Sequence, residues 1–332
     1  MPGLLPRPGW AATSRDPPPS PRLGGCPVTT PTDDLSGDPK RRRRERRVRA
    51  VFQAAAIFSV LVSAAIVLSL FGKAVGFILE IDLSQLWADG WFPRRGRFDL
   101  RTIVWHTAVV SVIAMVVATP LGLGAAMYLS EYANPRARRI LKPVLEILAG
   151  IPSVVLGFFA LKFITPNVLT TFIPGTQQSN LLAAGIGVGI LIIPLVASVS
   201  EDAMRAVPIA LREASYGLGA QKWRTSLSVV FPAALSGIVA SLILGLSRAI
   251  GETMVVAIAA GATGGSLLQL NPVNGGQTMT GAMASLAIGS DQVVGEAGTF
   301  DSLFFVGLLL FFMTLLLNIG SERFVKRFRQ RY

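Results

Sequence analysis

Six apolar runs separated by short polar stretches fill most of the chain beyond residue 50, at about 50–79, 103–129, 143–163, 181–200, 233–261 and 303–320. Each is long enough, at roughly 20 residues, to cross a bilayer as a helix. Proline interrupts three of them: Pro120 in "VVATPLGLG", Pro152 in "EILAGIPSVVLG" and Pro194 in "ILIIPLV". A proline ring opposes the carbonyl four residues earlier, and a freed backbone group in a membrane must be satisfied by protein or a water-lined cavity. Pro194 reads as an ordinary kink. Pro152 lies beside Gly150 and Ser153 and marks a candidate polar site inside the third run. The pattern predicts an all-α integral membrane protein with a transmembrane domain over residues 50–332.

The polar stretches set its orientation. Residues 1–40 are rich in Pro, Gly, Ser, Thr and Asp, a composition that buries no core. With "KRRRRERRVR" they make a Pro-rich and Arg-rich tail, 1–49, expected to be disordered and cytoplasmic. The apolar run that follows is too long for a signal peptide and reads as an uncleaved first span. Basic residues recur at 40–49, 131–142, 201–232 and the C-terminal tail, whereas 164–180 and 263–302 contain no Lys or Arg. That alternation predicts six spans with both termini cytoplasmic. Only the stretch between the first two spans departs from it, with Arg94, Arg95, Arg97 and Arg101 facing Glu80, Asp82, Asp89 and Asp99.

Composition agrees. The chain of 332 residues is 51% hydrophobic and 15% charged, against about 25% charged in soluble domains. The net charge of +12 is explained by topology and contact with anionic membrane lipid, without nucleic acid. One cysteine, Cys26, and one histidine, His106, leave no disulfide framework, metal cluster or histidine-based catalysis to build. His106 opens the second span beside Trp105 and is expected at the membrane interface.

Two charges interrupt the fifth run. In "LILGLSRAIGETMVVAIAAG" (242–261), Arg248 and Glu252 stand one turn apart on a continuous helix. With Gly237 at the origin they fall at about 20° and 60°, inside the stripe made by Gly237, Ser241, Gly245 and Ala249. Small residues at this spacing allow close helix approach, so both charges are expected to face protein or a wet path. An internal salt bridge is one reading. It is disfavoured by the Arg-then-Glu order and by the small net worth of buried pairs. The other reading is a transport site: a guanidinium fork accepts an oxyanion bidentately and never deprotonates, with Glu252 holding it between anions.

The stretch "VPIALREASYGLGAQKWRTSLSVVFPAAL" (207–235) is too patterned for a passive connector. Pro208 suits a helix start, "GLG" suits a left-handed end, and "AQKWRTSLSVV" restarts before Pro232. This is either a rigid knob for a partner or an amphipathic helix lying on lipid.

The same stretch resembles the signature of bacterial ABC-importer permeases, with Glu213, Ala214, Ser215, Gly219, Val229, Phe231 and Pro232 at the signature's spacing. Ser215, Val229 and Phe231 depart from it as Ser for Ala, Val for Ile and Phe for Leu. "EILAGIPSVVLGFFAL" (146–161) and "LSRAIGETMVV" (246–256) are similar to segments of phosphate-specific transport (Pst) permeases, and "GETM" to the PstC-type subunit. The likeness covers about residues 102–330. It implies a type I ABC-importer permease of six transmembrane helices in a bacterial inner membrane. It also implies a coupling helix in 201–232, with Glu213, Ala214, Gly219 and Pro232 meeting the ATPase. Arg248 and Glu252 become the transport-critical pair, and Ser153 and Thr253 are added as pathway residues. The implied partners are a PstA-type permease subunit, two copies of an ABC ATPase, an extracytoplasmic phosphate-binding protein and phosphate itself. Another tetrahedral oxyanion such as sulfate or molybdate, or an ion-coupled secondary transporter using Glu252, are the competing functions.

No catalytic set, cofactor or metal site is expected. "FGKAV" (71–75) lacks the leading Gly and the hydroxyl of a phosphate loop, so ATP hydrolysis is assigned to a separate subunit. The acidic stretch with Asp291, Glu296 and Asp301 suits delivery by a binding protein better than direct anion capture.

Overall fold

The computed structural model describes residues 39–87, 89–261, 265–288 and 298–328. The tail to residue 38 with Cys26, and the acidic Asp291 and Glu296, lie outside the described residues. Contacts divide the chain into two units, 1–61 and 62–332. Helix α1, Pro39–Glu80, begins in the first and ends in the second. The Arg-rich run at 40–49, expected in the tail, therefore belongs to a helix: Arg, Lys and Glu are good helix formers, and no breaker separates them from the apolar run.

In the second unit, a short hairpin of β1 (Trp91–Phe92) and β2 (Arg97–Phe98) precedes α2, Leu100–Met127. Asp99 starts that helix: Oδ1 accepts the Arg101 N–H at 3.1 Å and Oδ2 accepts the Thr102 hydroxyl at 2.6 Å. Capping of this kind satisfies backbone donors that a helix start leaves open. Trp91, Phe98 and Phe77 bury together beneath the hairpin, with Phe77 and Phe98 edge to face at 5.0 Å. A π-helical turn, Tyr128–Tyr132, prolongs α2.

The third apolar run is not one span. Helix α3, Pro135–Ala149, buries no residue and carries Arg136, Arg138, Arg139 and Lys142 among apolar positions, the pattern of an amphipathic helix. It stops at Gly150, and Pro152 is the N-cap of α4, Ser153–Phe159, rather than a kink within a span. The residue before a proline disfavours helix, which separates the two here. From α4 the chain continues as π-helix over Ala160–Leu169 and as α5, Thr170–Phe172, so the membrane-length helix runs 153–172.

Helix α6, Leu181–Arg205, is the most buried long helix, and α2 lies against it. At Gly189 a Cβ would stand 2.9 Å from the Ala114 carbonyl oxygen, so only glycine permits this approach. Next come α7 (Ile209–Gly217), α8 (Lys222–Thr225), a π-helical turn over Ser226–Val230 and α9 (Phe231–Ala233). A bend of 71° then leads into α10, Leu235–Gly251. Helices α11 (Met254–Ala259), α12 (Met279–Ile288) and α13 (Asp301–Phe328) complete the described elements. Among the described residues five helices are long and apolar enough to cross a membrane, and the bent pair 222–233 and 235–251 makes a sixth if it is counted as one span.

His106, expected at the membrane interface, is fully buried within the protein. Its Nδ1 lies 3.1 Å from the Gln277 carbonyl oxygen, and its Nε2 accepts the Gln269 N–H at 3.0 Å. This requires the neutral Nδ1–H tautomer. The ring fastens the 265–278 segment to α2.

Burial by itself raises the Asp99 pKa. Hydrogen bonds from Thr102, Arg101 and the Gly90 amide, with the Arg101 charge, outweigh it and hold the carboxyl below its ordinary value. The stabilisation from ionised Asp99 is therefore present above the ordinary aspartate pKa and fades as pH falls through the folded-state value. Asp99→Ala is expected to lose roughly 0.5–2 kcal/mol. Its thermal midpoint in detergent should lie below the parent's near neutral pH and converge on it in acid. A pH-independent difference would contradict this.

Candidate translocation cavity

The fifth apolar run breaks where a continuous helix was expected. Helix α10 ends at Gly251, Glu252 adopts extended backbone (φ −69, ψ 127), and α11 restarts at Met254. The Thr280 hydroxyl donates to the Glu252 carbonyl at 2.7 Å, which replaces a lost helical partner. The Glu252 carboxylate accepts the Val255 N–H at 3.5 Å, capping the start of α11. Among the described residues no ion pair joins Arg248 to Glu252.

The stripe of small residues packs on α6 as its spacing indicated. Ser241 and Ser200 share a hydrogen bond at 2.6 Å, and Gly245 faces Ile192 and Val196. Arg248 leaves the edge of this stripe, exposed, with no hydrogen bond or ion pair among the described residues. It points into a cavity of about 860 Å³ bounded by α3, α6, α10 and α13. Glu252 lines the same cavity, as do Glu146 of α3 and Asn318 of α13, whose Oδ1 accepts the Ser247 hydroxyl at 3.0 Å. The other two proposed pathway residues stand elsewhere. Ser153 is the first residue of α4, and Thr253 sits in the break with its hydroxyl 3.3 Å from the Gly251 carbonyl; neither lines this cavity.

Sequence reasoning counted Arg138 and Lys142 only as topology signals and left Glu201 unnoticed. In the fold Glu201 is fully buried and forms ion pairs with Arg138 and, at 3.3 Å, with Lys142. Both contacts are ionic rather than well-aligned hydrogen bonds. Lys142 also reaches Asp202 at 3.2 Å. Burial alone lowers the Lys142 pKa, but Asp202 and Glu201 raise it above its ordinary value, so the ammonium stays charged. The four-residue spacing of Arg138 and Lys142, one turn apart on α3, was the available signal. This cluster fastens α3 to α6 at one side of the cavity.

The segment 207–232 follows its expected form. Pro208 is the N-cap of α7, Gly219 holds a left-handed φ of 78°, and α8 restarts at Lys222. Glu213, Ala214, Gly219 and Pro232 are all exposed. Leu218 beside them is 90% exposed, so this face is open to a partner.

Comparison with known proteins assigns the fold. The family described as binding-protein-dependent transport system inner membrane component matches residues 118–332. The chain belongs to this family. It is an ABC-importer permease subunit with a type I permease fold. Among its relatives, the probable ABC transporter permease protein YqgH of Bacillus subtilis is 31% identical, over 78% of this chain and 89% of the relative. The phosphate transport system permease protein PstC of Mesorhizobium japonicum is 32% identical over 81% of this chain and 86% of its own. A chain of a bacterial alginate ABC transporter superposes with a TM-score of 0.61, at 14% identity, covering 88% of the permease and 98% of that chain. A chain of the MetNI methionine ABC transporter in an inward-facing conformation gives 0.53 at 20% identity, covering 75% and 100%. At these identities the two structures speak for the fold alone.

The ion cluster makes a quantitative contrast. Glu201→Gln removes the anion that two partly exposed cations meet and should destabilise the permease by roughly 1.5–3 kcal/mol. Asp202→Asn, whose side chain is 65% exposed, should change it by no more than about 1 kcal/mol. Thermal unfolding of the purified variants separates the two, and equal effects would contradict the buried cluster.

Proposed function

We propose that this permease is the PstC-type half of an ATP-driven importer of inorganic phosphate. It works with a PstA-type permease subunit, two ABC ATPase subunits and an extracytoplasmic phosphate-binding protein. It lies in the bacterial inner membrane with both termini cytoplasmic, the orientation favoured by the basic stretches at 40–49, 131–142 and 201–232.

The observation that carries the reading is the guanidinium of Arg248 at the cavity wall, where α10 stops, with no hydrogen bond or ion pair among the described residues. An arginine in a membrane domain normally finds a carboxylate or carbonyls, because an unpaired charge there is expensive. This one faces a cavity with five donors and a permanent charge. A tetrahedral oxyanion with two acceptors on one edge matches that fork. Glu252, buried beside the cavity, contributes negative charge that keeps a bound anion from staying. Phosphate is preferred over other oxyanions because PstC proteins are among the relatives at about 30% identity over most of the chain.

ATP hydrolysis is assigned to a separate subunit that grips the exposed face of α7 around Glu213 and Ala214. Closure of the two ATPases moves that face and switches the cavity between the two sides of the membrane.

Arg248→Gln is the direct test. The variant should assemble with its partners, since Arg248 is exposed and makes no hydrogen bond or ion pair among the described residues. ATP-dependent uptake of labelled phosphate into vesicles should fall about tenfold or more, the scale of one lost charge-assisted contact. Undiminished uptake would remove Arg248 from the pathway. Competition by sulfate or molybdate at equal strength would transfer the assignment to another oxyanion.

A further inference from the structure

We propose that Arg212 is the positioning residue that locks α7 to the ends of α2 and α6, so that movement of α7 is delivered to the cavity. The inference rests on the reading of α7 as the ATPase contact, and it names the residue through which that contact acts.

Arg212 lies on α7, directly before Glu213, yet points the opposite way. Glu213 is exposed, whereas the Arg212 side chain is 16% exposed. Its Nη1 donates to the Val207 carbonyl at 2.7 Å, and its Nη2 donates to the Met204 carbonyl at 2.8 Å. Met204 lies in the last turn of α6 and Val207 two residues beyond its end, where the helix carries partial negative charge. Nη2 also pairs at 3.1 Å with Oε1 of Glu131, itself 5% exposed, in the π-helical turn that ends α2. The Ser130 hydroxyl donates to the same oxygen at 2.9 Å and holds it in place. One planar fork therefore joins three separate elements.

Apolar packing also surrounds this junction: Ala126, Met204, Val207, Val230 and Ile238 are buried together, with Leu211 packed against them. Such contact is non-directional and permits sliding. The guanidinium does not, because its donors are fixed in a plane and reach acceptors on two different helices. The load path beyond Arg212 is short. Met204 is three residues from Glu201, less than a helical turn, and Glu201 binds Arg138 and Lys142 of α3. Ser198 and Glu201 line the Arg248 cavity. A displacement of α7 thus reaches the α6 wall and the α3 clamp together.

The test reads the cavity directly and needs no knowledge of the transported anion. Ser198→Cys is introduced together with Cys26→Ser in the full complex with its ATPase and partner permease. The rate of labelling at position 198 by a charged thiol reagent is measured without nucleotide and with ATP plus vanadate, alongside ATP hydrolysis. In the Arg212 parent, nucleotide should change the rate by about fivefold or more, the usual size of a coupling between sites. Arg212→Ala should reduce that change to less than about twofold while hydrolysis persists. Arg212→Lys, which reaches Glu131 but spans fewer acceptors, should fall between, and Glu131→Gln, which keeps an acceptor, should stay near the parent.

A full nucleotide response in Arg212→Ala overturns the proposal. So does a parallel loss of hydrolysis and response in both Arg212 variants, which would make the residue a fold-holding one only. A parent complex that binds its ATPase but shows no nucleotide response refutes the coupling assignment, and this inference with it. Failure of phosphate uptake alone, with the labelling pattern intact, would instead refute only the choice of anion.

Discussion

A bilayer offers no hydrogen-bond partners, so backbone that leaves a helix within it must be satisfied from inside the protein. The cavity depends on this constraint being met at one place. Between Gly251 and Met254 the fifth span gives up its helix, and the freed groups are answered by Thr280, by the Glu252 carboxylate and by the Ala249 carbonyl, which accepts the Glu252 N–H at 3.3 Å. The repair uses Glu252 as a cap. That leaves Arg248 without an ion pair to Glu252 among the described residues, and this guanidinium at the end of a helix is the feature on which the proposed anion site rests. Beyond the break the segment 265–278 returns against α11, with the Gly276 N–H donating to the Ala260 carbonyl at 3.0 Å. His106 holds that return in register through both ring nitrogens.

The other walls follow from charge burial. Glu201 is tolerable inside the unit because two cations from α3 meet it, and those same cations keep an otherwise unburied helix against α6. Lys142 and Arg248 therefore differ in kind although both line the cavity. The first is paired with Glu201 and Asp202, and the second has no ion pair among the described residues. Hinge-like breaks flank both: Gly150–Pro152 after α3 and Gly251–Thr253 after α10. Elements that end at such breaks can shift without unfolding their neighbours.

Much of this was legible in the residues. The apolar runs marked a polytopic helical membrane protein, the small-residue stripe gave the face of α10 that meets α6, and Pro208 and Gly219 fixed the shape of the 207–232 segment. Those signals are local, and helix caps and left-handed glycines act within one turn. What escaped depends on partners far along the chain. The break after Gly251 is stabilised by Thr280, 28 residues on, so nothing in "GETMVV" announces it. Glu201 is placed by Arg138 and Lys142 from another helix, and His106 by Gln269 and Gln277, more than 160 residues away. The third span is ambiguous for a different reason: the charges at 136–142 serve both as a topology signal and as the polar face of a separate helix, α3.

Because the account turns on a free guanidinium meeting an oxyanion, the most direct measurement is of that contact itself. Solid-state NMR of the assembled complex, with ¹⁵N in its arginine side chains and phosphate bound, would detect ³¹P–¹⁵N dipolar coupling. The account predicts a guanidinium coupled to phosphorus whose signal vanishes in Arg248→Gln. A coupling that survives the substitution, or an Arg248 resonance untouched by saturating phosphate in every nucleotide state, would contradict it.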